Sequence, residues 1–116
     1  MTAFVSRLFT GGETGEARVW AREVLAAWGW SGAVPVVDVL IAVARSRRPW
    51  WLSLRDHGDA LNVQVLRART ARTIRLPGRI AGADGLVWTF GTVPTPDGLC
   101  IWTTITPHPK RQPLSR

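Results

Sequence analysis

The chain has 116 residues, of which 46% are hydrophobic; this is typical of one folded domain and excludes general disorder. No apolar run reaches the roughly 18–20 residues that span a bilayer. Residues 1–10 also lack the pattern of a secretory signal, so we expect a cytoplasmic protein without membrane contact. The net charge is +7, and nine arginines lie in residues 45–79. This basic stretch suits nucleic acid, phosphate or an acidic protein, and equally suits a solvated basic face.

The first elements along the chain are a strand and a helix. Residues 4–9 alternate in a way that predicts a short strand, and Thr14 can cap the helix that follows. Gly29 ends that helix. Its core-facing stripe consists of residues at helical spacing: Ala17, Trp20, Ala21, Val24 and Trp28.

A second helix is predicted for residues 35–47, with Pro35 in its first turn and Pro49 after its end. It is apolar nearly all round and should be buried on more than one side. Two strands follow, and their predicted core faces consist of Trp50, Leu52 and Leu54 in one strand and Leu61, Val63 and Val65 in the next.

The turn between these strands contains His57 beside Asp56 and Asp59, a combination that also occurs at metal and acid–base sites. A hairpin turn explains the same residues, and we favour it. Cys100 is the only cysteine and lies between Leu99 and Ile101, which predicts a buried strand thiol. We therefore expect no metal and no catalytic cysteine.

Residues 67–85 are predicted to be irregular, with one short strand near 73–76. Strands at 86–93 and 99–106 flank a Pro-Thr-Pro-Asp-Gly turn, which is a strong hairpin signal. The predicted architecture is an α+β two-layer sandwich, with both helices on one face of a mixed, mostly antiparallel sheet. It occupies residues 1–106, and residues 107–116 are expected to be a disordered, basic, proline-rich tail.

Two segments resemble a known family. Residues 16–29, EARVWAREVLAAWG, resemble the first helix of compact GHKL (histidine-kinase-like) ATPase domains that act as anti-sigma-factor serine kinases in high-GC bacteria. Residues 90–102, FGTVPTPDGLCIW, resemble their closing hairpin. The resemblance extends over residues 4–106 and implies a truncated Bergerat-like fold.

The residues that would bind and use ATP in that family are missing here. The resemblance places the general-base glutamate and the magnesium-binding asparagine of the second helix at Val39 and Val43. It places the adenine-binding aspartate near Arg67, whose guanidinium only donates hydrogen bonds. Gly82 and Gly85 are a faint counterpart of the glycine-rich phosphate turn, without room for the helix that follows it. Phosphoryl transfer would lack both its base and its metal ligand, so we expect no catalytic residue and no cofactor.

The leading hypothesis is a non-catalytic regulatory domain that binds a protein: a sigma factor, an anti-anti-sigma factor, a transcription regulator or a second copy of itself. Trp and Arg are frequent in interface hot spots. The candidate partner-binding residues are Arg18, Arg22, Trp30, Trp51, Arg67, Arg69, Arg72, Arg75, Arg79 and Trp88. The other four tryptophans are expected in the core, namely Trp20, Trp28, Trp50 and Trp102.

Two alternatives stay open. An ATP-binding serine/threonine kinase acting as an anti-sigma factor would need Asp38 or Asp84 in a metal or base role. A nucleic-acid-binding protein would use the arginines of residues 45–79 as a phosphate-facing stripe.

Overall fold

The elements follow the predicted order. The computed structural model describes residues 2–10, 14–44, 48–68, 77–96 and 98–107. Strand β1 and helices α1 and α2 come first, at Ala3–Phe9, Thr14–Ala27 and Val34–Ala44, with a short 3-10 turn at Ser31–Ala33. Strands β2 to β5 follow at Trp50–Asp56, Leu61–Ala68, Leu86–Thr95 and Gly98–Pro107. The predicted strand at 73–76, the predicted helix end at 45–47 and residues 108–116 lie outside the described part of the chain.

The described strands form one five-stranded sheet in the order β1-β2-β3-β5-β4, and every neighbouring pair is antiparallel. The expected mixed sheet is therefore wrong. Short turns connect β2 to β3 and β4 to β5, so each of these pairs must be antiparallel. Two helices connect β1 to β2, and the chain re-enters the sheet beside β1 in the opposite direction.

Helix α1 ends in a backbone motif that its sequence predicts. Gly29 adopts a φ of 77°, the left-handed conformation that ends many helices. The N–H of Trp30 donates to the carbonyl of Leu25 at 2.7 Å, and the N–H of Gly29 donates to that of Ala26 at 3.3 Å. This pair of bonds is a Schellman motif, and it sets the direction in which the chain leaves for α2.

The core lies between the helices and one face of the sheet. Ala17, Ala21 and Leu25 of α1 are buried, and Trp20, Val24 and Trp28 pack half-buried against the same cluster. The predicted core faces of β2 and β3 are confirmed, since all six of their residues are fully buried. Phe9 contacts both Trp20 and Trp50, with ring centroids 5.7 Å and 5.2 Å apart.

No helix in the described ranges is long and apolar enough to cross a bilayer.

Candidate functional site

Helix α2 carries aliphatic side chains where the resemblance implies an acid and an amide. Val39 and Val43 lie one turn apart, and both are half-buried against the core. Asp38 is the only acidic residue of α2, and its carboxylate lies 3.8 Å from the guanidinium of Arg22 on α1. The edge of α2 that carries the two valines is therefore apolar, and the only carboxylate of α2 faces Arg22 instead.

The segment before β4 packs against the start of α2. Gly82 has a φ of 83°, and a Cβ placed there would lie 3.2 Å from the Pro35 ring. Strand β4 begins at Leu86, directly after Gly85, so no helix follows this turn. A cavity of about 470 Å³ is lined by residues 78–81, 83–86 and Trp88, and Asp84 is exposed there. The glycine pair thus forms a turn that supports α2.

The described partner-binding candidates lie on several different elements. Arg22 is exposed on α1, whereas Arg18 is half-buried beside it. Trp51 is exposed on β2, and Arg79 is exposed in the segment before β4. Arg69, Arg72 and Arg75 lie outside the described residues.

Two of the candidate tryptophans are engaged within the domain. Trp30 packs against the core, and its indole N–H donates to the Asp56 carboxylate at 3.0 Å. Trp88 also packs against the core, and its N–H donates to the Pro77 carbonyl at 3.3 Å. Both side chains therefore have structural roles of their own.

Arg67 lies at an irregularity in β3. Pairing with β5 shifts between Val65 and Ala68, so β3 has one more residue than its partner there. Arg67 absorbs the extra residue with a φ of 62°, the only positive φ of a non-glycine residue in the described chain. This is a β-bulge whose special position is filled by arginine instead of glycine. The side chain is exposed, and the backbone there is strained.

The face of the sheet opposite the helices has no covering layer among the described elements. We call it the open face. Strand alternation and register place on it Phe4, Ser6, Leu8, Trp51, Ser53, Arg55, Asn62, Gln64, Leu66, Val87, Thr89, Gly91, Val93, Cys100, Trp102, Thr104 and Thr106. Arg55 is the only charged residue of this set, which contains no carboxylate.

Trp102 belongs to the open face, so its predicted core position is wrong. Its side chain is 38% exposed, because Ile101, Thr103 and Ile105 are the β5 residues that point to the core. The indole lies over Gly91 of β4 and occupies the space that any Cβ there would need. An aromatic ring that covers a cross-strand glycine is a known device for stabilising a sheet. Its outward surface remains available to solvent.

A cavity of about 230 Å³ opens between β1, β2 and β3 on the open face, and it is lined by Phe4, Ser53, Arg55, His57, Asn62 and Gln64. The guanidinium of Arg55 lies 4.7 Å from the centroid of the Phe4 ring, a cation–π contact. The predicted hairpin turn at residues 56–59 is present between β2 and β3, and it places His57 at the rim of the cavity.

A hydrogen-bond network orders the polar side of this cavity. The Thr104 hydroxyl donates to the Asn62 side-chain oxygen at 3.0 Å. The Asn62 amide nitrogen lies 2.9 Å from His57 Nε2, within hydrogen-bond distance. The Ser6 and Ser53 hydroxyls share a hydrogen bond of 2.8 Å. The Gln64 side chain is exposed and forms no hydrogen bond with another described side chain.

Two side chains in this part of the sheet, Asp56 and Cys100, have pKa values shifted from their usual range. The Trp30 indole and, next, the Gly58 backbone N–H donate to Asp56 and hold the pKa of that carboxyl below its usual value. Cys100 is half-buried in β5, and partial burial raises the pKa of its thiol. Among the described residues no group of three or more potential metal-ligating side chains is present.

Sequence reasoning placed Trp51 on the surface but Trp102 in the core, so it did not assign both to one face of the sheet. Strand alternation contained the signal: Trp51 and Trp102 are out of phase with the buried residues beside them. Comparison with protein-family models, with curated proteins and with solved structures found no match to this chain.

Proposed function

We propose that this chain is a non-catalytic regulatory domain, derived from a histidine-kinase-like ATPase and acting by binding a protein. The proposal rests on the resemblance of residues 16–29 and 90–102, and it is compatible with an α+β architecture in which two helices cover one face of a five-stranded antiparallel sheet. The proposal includes the fold that the resemblance implies, a truncated Bergerat-like two-layer sandwich.

The observation that carries the proposal is the apolar edge of α2. A nucleotide-using site needs a base to activate the acceptor and an oxygen ligand for Mg²⁺. Val39 and Val43 offer neither, and their half-buried methyl groups stabilise the packed core. The turn at Gly82 and Gly85 leads directly into β4, so no helix N-terminus is available there for phosphates.

The outer face of α1 is the proposed protein-binding surface. Val19 is 55% exposed, and Arg22 and Glu23 follow it one turn later on the same side of the helix. An exposed aliphatic residue with charged neighbours suits a protein interface, in which an apolar centre is surrounded by a polar rim. Arg22 is held only loosely by Asp38, so it remains available to a partner. Sigma factors, anti-anti-sigma factors and transcription regulators are the partner classes that the resemblance implies.

Titration calorimetry with Mg-ATP tests the loss of nucleotide use. We expect no binding heat with nucleotide in the millimolar range. Micromolar affinity would overturn the proposal in favour of an ATP-binding kinase.

Affinity capture from native extract tests the protein-binding surface. We expect the wild-type domain to retain a regulator of one of the named classes, and Val19→Glu to lose it. Ala42→Glu is the matched control, because Ala42 is exposed on α2 and the change adds the same charge away from the surface. Equal capture by both variants would contradict the assignment to α1.

A further inference from the structure

We propose that the open face binds single-stranded nucleic acid, with bases stacked on its aromatic side chains. This inference is independent of the proposed protein surface, because it concerns the opposite side of the domain. Of the nine arginines in residues 45–79 it uses only Arg55, so it also differs from a phosphate-facing stripe formed by those arginines together.

Three aromatic rings provide the stacking surfaces. Phe4 is 52% exposed, Trp51 is 36% exposed and Trp102 is 38% exposed. The Trp102 ring lies over Gly91, which has no side chain to displace it, and its outward surface is exposed. Bases stack on such rings whatever their sequence, because every base has a π-face.

The cavity beside Phe4 provides groups for the edges of a base. The exposed Gln64 amide offers both a donor and an acceptor, and the Asn62 amide is fixed by Thr104 and His57. Proteins that bind single-stranded RNA combine stacking with hydrogen bonds to the edges of unpaired bases. A base-paired duplex hides both its base faces and its pairing edges, so this surface suits single strands.

The charge of the surface agrees with a polyanion. Arg55 projects from the open face beside Phe4, and this face carries no carboxylate among its described residues. Asp56, the nearest acid along β2, is held by Trp30 on the helix side. The chain as a whole has a charge of +7, which attracts phosphates over a longer range. Two copies packed through this face would bring arginines together without an acid to pair them, so a second copy fits less well.

Fluorescence anisotropy with a labelled 12-nucleotide single strand tests the proposal, using DNA and RNA of the same sequence. We expect binding at low salt that weakens as salt is added, and weaker binding to the corresponding duplex. Trp51→Leu and Trp102→Leu should each weaken single-strand binding roughly 10-fold to 100-fold. An abasic strand of equal length should bind much less than the parent strand.

Arg55→Gln should also weaken binding, whereas Arg22→Gln, its matched control on α1, should change it little. Circular dichroism confirms that each variant is folded. Equal affinity for the abasic strand, or displacement by polyglutamate at equal charge concentration, would show a general polyanion surface and overturn the proposal. Absence of single-strand binding at low salt would overturn it as well. Val19→Glu should leave oligonucleotide binding intact, so failure here is distinguishable from failure of the protein-binding proposal.

Discussion

The indole N–H of Trp30 donates to the carboxylate of Asp56, with 3.0 Å between Nε1 and Oδ1. Trp30 is the last residue of the Schellman motif that ends α1, and Asp56 is the last residue of β2. The same carboxylate also accepts the Gly58 backbone N–H at 2.8 Å, within the β2–β3 turn. One side chain thus connects the end of the helical layer to the hairpin that borders the open face.

This relationship predicts an acid-dependent loss of stability. Because the pKa of Asp56 is lowered in the folded state, the ionised carboxylate stabilises the fold at pH values above the unfolded-state pKa. That contribution is lost as the pH falls through the lower folded-state pKa. We expect the urea midpoint of the wild type to fall between about pH 6 and pH 2, and the midpoint of Asp56→Asn to fall less.

Asp59→Asn is the control, since Asp59 is exposed in the same turn. It should keep the acid sensitivity of the wild type. An Asp56→Asn variant as acid-sensitive as the wild type would exclude this carboxylate as a source of the effect.

Strain at Arg67 predicts a ranking of substitutions. The left-handed backbone conformation costs a non-glycine residue about 1–2 kcal/mol of folding stability. Glycine avoids that cost but lowers the stability by about 0.5–1 kcal/mol, because it makes the unfolded chain more flexible. We expect Arg67→Gly to raise the free energy of unfolding by up to about 1 kcal/mol and Arg67→Val to lower it, as measured by urea denaturation. If valine were tolerated as well as glycine, the positive φ of 62° would not be maintained in solution.

A buried hydroxyl in β5 predicts a stabilising substitution. Thr103 is 1% exposed, and its Oγ1 has no hydrogen-bond partner among the described residues. Thr103→Val replaces that hydroxyl with a methyl group of similar size, and we expect a gain of about 1 kcal/mol in denaturant unfolding. Thr104→Val is the neighbouring control and should cost about 1 kcal/mol, because it removes the bond to Asn62. A loss of stability in Thr103→Val would indicate that the hydroxyl has a partner.

Local patterns were sufficient for the elements but not for all of the tertiary contacts. The alternation of Trp50, Leu52 and Leu54 fixed the core face of β2, and Gly29 correctly marked the end of α1. The role of Trp30 depends on Asp56, which is 26 residues away, so no short window contains it. The position of β5 between β3 and β4 likewise depends on long-range pairing.

The candidate site was harder to predict than the fold, for a reason visible in β5. Thr103 is buried while its neighbour Trp102 is exposed. A rule that puts aromatic residues in the core and polar residues in solvent therefore assigns the side chains of this strand to the wrong faces. Ile101 and Ile105, which are both buried, give the correct phase when the whole strand is considered. That Phe4, Trp51 and Trp102 share one face becomes clear only after the sheet order and register are known.

The edge of α2 provides the last prediction. The double change Val39→Glu and Val43→Asn introduces the residues that the resemblance implies, and it places a carboxylate and an amide on half-buried positions without partners. We expect the double variant to lose about 1–3 kcal/mol of stability, because desolvated polar groups without hydrogen bonds are costly. It should gain no affinity for Mg-ATP, since no helix follows Gly85 to contact phosphates. Thermal unfolding and calorimetry measure the two effects separately.

Ala42→Glu adds a charge to the exposed side of the same helix and should change stability by no more than about 0.5 kcal/mol. A stable double variant that binds and hydrolyses ATP would overturn the proposal, because it would reveal a nucleotide site that lacked only these two side chains.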